Sequence, residues 1–136
     1  MKESTMRRTA LNPWPWSLNL GYNQAEILEG VNRHLTCAGQ TSVDAEGVPQ
    51  HAGDMRSQLT LALDNLELVL TTANMSLANI TRLNIYTTDV DQALQTFDVL
   101  GARMGPLNAA PPMTLLGVTR LAMPELMIEL EATAAD

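Results

Sequence analysis

From Asp54 onward, Met55, Leu59, Leu63, Leu66 and Leu70 recur at spacings of four, four, three and four residues. Their side chains therefore fall on one stripe of an α-helix. Such a stripe has to be laid on something, and the closing stretch "LMIELEATA" supplies a matching surface. In it Leu126, Ile128 and Leu130 alternate with Met127, Glu129 and Glu131, the period of a strand with one dry face. Together the two patterns restrict the chain to helices packed on a sheet. Asp54 suits the N-cap of the helix, where a carboxylate accepts an amide of the first turn.

The rest of the chain fills in around this pair. "AEILEG" and "RHLTCAG" read as two strands about a turn at Gly30 to Asn32, and "SVDAEGVPQ" carries Asp, Gly and Pro for the next reversal. Thr81 to Thr88 reads as a strand with Leu83 and Ile85 on one face and Arg82, Asn84 and Tyr86 on the other. A second helix follows, capped by Asp91, with Leu94, Phe97, Leu100 and Met104 at helical spacing and Gly105-Pro106 as its stop. Met113 to Leu121 and Leu126 to Ala132 close the chain as an expected antiparallel hairpin. Residues 1–21, with prolines between Trp14 and Trp16, form an N-terminal arm that packs on a single domain spanning 22–136.

Composition removes several functions. Fifteen acidic against eight basic residues give a net charge of -7, which repels a phosphate backbone and argues against nucleic acid as a partner. The exception is the cluster Lys2, Arg7 and Arg8, read as a tail. No apolar run has the length of a spanning helix, so no membrane partner is expected, and no secretory signal opens the chain. With Cys37 as the lone cysteine, the expected location is cytoplasmic. His34 and His51 stand apart with no ligand partners at metal spacing, and no phosphate-binding loop or GxSxG turn is present. No metal and no cofactor is expected.

Two helices can cover one face of a sheet of five or six strands but not both, which sets the fold class as α+β and leaves a second face to explain. Alternation assigns Leu116 and Val118 to the helices. It assigns Met113, Leu115, Met127, Glu129, Glu131 and Tyr86 to the other side. That set is too apolar for open water and too polar for a private core. A surface shared with other copies of the chain, holding a pocket, accommodates both properties.

The strand "HLTCAGQTSVD", the helix "MRSQLTLALDNLELVL", the strand "ITRLNIYTTDVD" and the ending "PPMTLLGVTRLAMPELMIELEATA" resemble, in that order, the Rid family, also called YjgF-like proteins or reactive intermediate deaminases. The resemblance covers roughly residues 22 to 132. It implies a chorismate-mutase-like fold, with a single sheet of about six strands and two helices on one face. It further implies a homotrimer with a barrel-like centre and three small-molecule clefts between subunits. Deaminating members hydrolyse enamines and imines to ketoacids and ammonia without a cofactor.

What the resemblance implies for the site depends on each position. The family's Pro-x-Arg-Ser segment holds a substrate carboxylate through an arginine fork; here the arginine position is Met113 and the serine is Thr114, followed by Leu115. This argues against typical 2-imino acids as substrates. Arg120, seven residues on, points to the other face and is a poor substitute. Tyr22 matches a tyrosine lining the cleft, Ala38 replaces the family's serine in "CAGQ", and Cys37 and Gly39 flank it. Glu129 matches the glutamate placed to hold water or move a proton, with a purely structural boundary role as its rival. If Glu131 on the same face is enclosed with it, like-charge repulsion raises one of the two pKa values. Cys37 lacks a base to activate it and reads as an inert thiol. Trp14 and Trp16 read as packing residues, with a lid over the cleft as the lesser reading.

The expected function is a homotrimeric, cofactor-independent hydrolase of an enamine, imine or related reactive metabolite. The alternative is a non-catalytic small-molecule-binding or regulatory trimer. Ribonuclease or translation-inhibitor activity, also attached to the family, is weak on this acidic chain.

Overall fold

In the computed structural model, which describes residues 5–136, the helical stripe found above becomes α1, Met55–Thr72. Asp54 is its N-cap, accepting the Ser57 amide at 3.1 Å and the Ser57 hydroxyl at 2.8 Å. Leu59, Leu63, Leu66 and Leu70 are fully buried, as are Leu83, Ile85, Ile128 and Leu130 of the sheet beneath. Each such side chain stabilises the fold by roughly 1.5–3 kcal/mol relative to exposure.

Among the described residues, seven strands form two sheets. A pair, β1 (Arg7–Leu11) and β2 (Ala25–Glu29), is antiparallel and separate. The main sheet contains β3 (His34–Thr36), β4 (Gln40–Thr41), β5 (Ile80–Thr87), β6 (Met113–Gly117) and β7 (Ile128–Ala135). Its order is β3-β7-β5-β6, with β4 also on β7. The mixed α+β architecture is the expected one, and three details differ.

The closing strands do not form a hairpin. β5 lies between them, parallel to β6 and antiparallel to β7. The connection crosses the end of β5, where the Val118 amide donates to the Thr87 carbonyl at 2.8 Å. Likewise the strands on either side of Gly30 pair with different partners, β2 with β1 and β3 with β7. The second helix is broken into α2 (Val90–Leu94) and α3 (Asp98–Met104). Its cap is Asp89, not Asp91, because the Asp89 carboxylate takes the Gln92 amide at 3.0 Å. At the break, both the amide and the hydroxyl of buried Thr96 bond to the Ala93 carbonyl, closing a local turn there. A turn of 3-10 helix at Gly105–Leu107 ends α3 where Gly-Pro demanded a stop.

Two polar ties position the site. Gln58, completely buried on α1, donates to the carbonyls of His51 and Glu125 and accepts the Met127 amide at 2.8 Å. Asn65 donates to the carbonyls of Thr41 and Val43, holding the end of β4 to the helix. At the N-terminus, Arg8 makes a two-point ion pair with Glu26 and donates to the carbonyls of Ala78 and Ile80, each at 2.7 Å. One guanidinium thus ties β1, β2 and the start of β5. Residues 5–21 accordingly carry a strand within the segment read as an arm, while Trp14 and Trp16 stay more than half exposed.

Candidate functional site

Strand register decides which side chains can meet. Tyr86 stands opposite Glu129, and Asn84 opposite Glu131, so these four share the face turned away from α1. Across β6, Leu83 stands opposite Met113 and Ile85 opposite Leu115, whereas Asn84 faces Thr114 and Tyr86 faces Leu116. Leu83 and Ile85 are core residues. Met113 and Leu115 therefore lie on the helix side, and Leu116 on the far side. This reverses the alternation assigned to that strand from its sequence. The cause is that β6 is an edge strand paired in parallel, so β5 and not its own apolar pattern sets its faces.

The candidate residues accordingly divide into two groups. The first lines a cleft of about 590 Å³ between β6, α3 and the turn at Pro15–Leu20; Tyr22, Met113, Thr114 and Leu115 all belong to it. Tyr22 is placed by the sequence just before and after it. Gly21 takes a left-handed conformation, φ 88°, that favours glycine, and the Asn23 amide donates to the Ala110 carbonyl at 2.9 Å, tethering the turn to the segment that leads into β6. The Trp16 ring meets Tyr22 edge-on, with centroids 6.2 Å apart. Sequence reasoning missed the opposite wall, which Phe97, Leu100 and Met104 build with Gly101 and Gly105; the helical period was visible, but not the space left beside it.

The second group surrounds Glu129 on the far face. Gly39 lies in the gap between β3 and β4 on the edge of β7, and the Glu129 carboxylate presses on it so closely that a Cβ at Gly39 would stand 2.0 Å from the carboxylate oxygen. Among the described residues, no group hydrogen-bonds to the Glu129 carboxylate. Burial, and secondly the Glu131 charge, push its pKa above the ordinary carboxylate value. Glu131 moves the other way: hydrogen bonds from Asn84 at 3.1 Å and from the Tyr86 hydroxyl at 2.8 Å hold its pKa down. The same bond raises the pKa of Tyr86. Two carboxyl groups two residues apart are thus shifted in opposite directions by their surroundings, Glu129 upward and Glu131 downward.

The remaining candidates are set elsewhere. Cys37 is in the core, its thiol pushed up by burial, and does not line the cleft. Ala38 is exposed beside Gly39 and does not line the cleft. Arg120 follows the end of β6 and donates to the carbonyls of Leu121 and Ala122, both at 3.2 Å. On the far face Arg82 donates to the Thr114 hydroxyl at 3.0 Å, which turns that hydroxyl away from the cleft. No helix is long and apolar enough to cross a membrane among the described residues.

Comparison with known proteins gives this geometry a lineage. Residues 18–136 match the family model described as Endoribonuclease L-PSP. The mitochondrial protein mmf2 of Schizosaccharomyces pombe is 30% identical over 132 residues, 96% of this chain and 100% of that protein. The crystal structure of YyfB from Yersinia pestis, titled a conserved Rid family protein of unknown function, superposes with a TM-score of 0.79 at 32% identity, covering 94% of this chain and 98% of that one. Rv2704 of Mycobacterium tuberculosis, from the YjgF/YER057c/UK114 family, has a TM-score of 0.66 at 26% identity, covering 96% and 100%. A fold, a sequence match over nearly the whole chain and the motifs quoted above agree: the chain belongs to the Rid (YjgF-like, Endoribonuclease L-PSP) family.

Proposed function

We propose that this protein is the protomer of a homotrimer with small-molecule clefts along its subunit seams, and that it is a cofactor-independent hydrolase of an enamine, imine or related reactive metabolite other than a typical 2-imino acid. The observation carrying this reading is the pressure of Glu129 on Gly39: a partly buried carboxyl with a raised pKa, beside a neighbour with a lowered one, can exchange a proton with water and substrate. In hydrolysis of an imine, water adds to the carbon of the C=N bond, the nitrogen gains protons, and the C–N bond breaks to leave a carbonyl and ammonia. Glu129 takes a proton from the attacking water and returns it to the leaving nitrogen. Tyr22 orients the ligand.

Glu129 and Met113 belong to opposite faces of one β-layer, so a neighbouring copy is the arrangement that brings such a glutamate to the cleft of another. The domain of 22–136, with 1–21 as its extension, is the unit that would assemble. Cytoplasmic residence belongs to the same proposal, and a lone buried thiol suits a reducing compartment.

A non-catalytic binding trimer is the second reading, favoured by Met113 and by a cleft with no charged group in its lining. Ribonuclease activity, which the family's description names, finds little support in a chain of net charge -7. Freshly generated imines of several amino acids and of their amides, assayed for ammonia release, test the proposal. Turnover that falls at least tenfold in Glu129→Gln supports it; turnover unchanged by that substitution removes Glu129 from the mechanism. Absence of turnover with every substrate leaves the binding reading in its place.

A further inference from the structure

We propose that the cleft between β6 and α3 selects an uncharged ligand whose apolar body fills the trough beside Gly101 and Gly105. The inference rests on the preceding reading of this cleft as the small-molecule site and adds the chemical class of what it holds.

Charge comes first. None of the side chains that this protomer contributes to the cleft is charged. Met113, in the wall formed by β6, offers neither charge nor a donor. The Thr114 hydroxyl is engaged with Arg82 on the far face. Asn19 and the Tyr22 phenol are the neutral polar side chains left on the rim. An anion entering this space would lose part of its water and gain no counter-charge from this protomer, which is unfavourable. A neutral ligand with one or two polar atoms loses far less.

Shape supplies the second argument. The cleft, about 590 Å³, is of the size that small ligands use and far exceeds what the few atoms of a small imine fill. Gly101 and Gly105 sit one helical turn apart on its wall, and a Cβ placed on either would meet no atom within 4 Å. Neither glycine has the positive φ that would require it. Within α3, glycine weakens the helix relative to alanine. Packing inside the protomer therefore gives no reason for glycine at 101, and the space it leaves opens onto Leu100, Met104 and Phe97. Those walls suit a ring or a branched chain.

Two probes of nearly equal size separate charge from shape: 3-phenylpropanamide and 3-phenylpropanoate, each titrated into the full-length protein and followed by amide NMR shifts and calorimetry. The amide is expected to bind at least tenfold more tightly than the carboxylate. Met113→Arg is expected to invert that order. Gly101→Leu is expected to weaken the amide at least tenfold while leaving the thermal midpoint unchanged or higher. A carboxylate that binds as well as the amide, a Gly101→Leu variant with undiminished amide binding, or no shift with either probe at millimolar concentration overturns the proposal. Glu129-dependent ammonia release without an amide preference would sink this inference and leave the hydrolase reading standing. An amide preference without turnover would do the reverse.

Discussion

Replacing Gly39 by alanine separates the acidity of Glu129 from the stability of the fold. The added Cβ would lie 2.0 Å from the Glu129 carboxylate oxygen, 2.6 Å from Cδ and 3.0 Å from Cγ. Since ordinary carbon contacts are about 3.5–4.0 Å, the carboxyl must retreat by more than about 1 Å. What it strikes is the end of a flexible side chain, so a rotation about the Glu129 χ angles relieves the clash. The backbone at Gly39 does not have a positive φ, and alanine lowers the entropy of the unfolded chain by an amount worth about 0.4–1 kcal/mol. The net change in stability should therefore stay within about 1 kcal/mol. The carboxyl, however, moves toward water and loses the burial that raises its pKa. In the natural protein Glu129 holds its proton to a higher pH than in the unfolded chain, so it withdraws stability as pH climbs from the unfolded pKa through the raised one. Gly39→Ala should abolish that loss. Carboxyl-carbon NMR titration of Glu129 in the two proteins, with urea unfolding at pH 4 and pH 7, measures both effects. An unchanged Glu129 titration in a folded Gly39→Ala protein would refute the reasoning, as would a stability loss above about 3 kcal/mol.

Three further outcomes follow from the contacts described. Arg8→Ala strands Glu26, whose side chain is only 8% exposed, together with the Ala78 and Ile80 carbonyls, and should cost about 3 kcal/mol in urea unfolding; Arg8→Leu combined with Glu26→Leu should cost clearly less than Arg8→Ala. Gln58→Leu leaves the Met127 amide and the Glu125 carbonyl without their partner, which should cost roughly 2–3 kcal/mol and speed hydrogen exchange at Met127 more than at Leu83. Tyr86→Phe removes one of two donors to Glu131, so the depressed Glu131 pKa should rise toward the ordinary value. Because a depressed carboxylate supports the fold above its unfolded pKa and loses that support as pH falls through the folded one, the variant should lose less stability between pH 7 and pH 3 than the natural protein.

What the chain discloses about itself depends on how local the cause is. α1 and its Asp54 cap were legible because the stripe and the capping amide lie within a few residues. β7 was legible because burial of Ile128 and Leu130 forces strict alternation. The strand β6 was legible but its faces were not, since its short run is apolar at nearly every position and only pairing with a strand some thirty residues earlier sets them. β1 escaped notice for a different reason: "RRTAL" has no dry face, and an ion pair and two carbonyls hold it rather than a hydrophobic pattern. The pKa division between Glu129 and Glu131 was half legible. Their shared face followed from spacing, but the Asn84 and Tyr86 donors that set its direction depend on the β5–β7 register.

Placing the trough proposed for the ligand and the acidic pair on opposite surfaces of one β-layer would let the two traits drift apart over generations. Exchanges on α3 alter what fits without disturbing the carboxyls of β7, and exchanges around Gly39 alter acidity without reshaping the trough. On the reading proposed above, a lineage built this way could swap its ligand while keeping its chemistry, or keep a binder after the chemistry is gone.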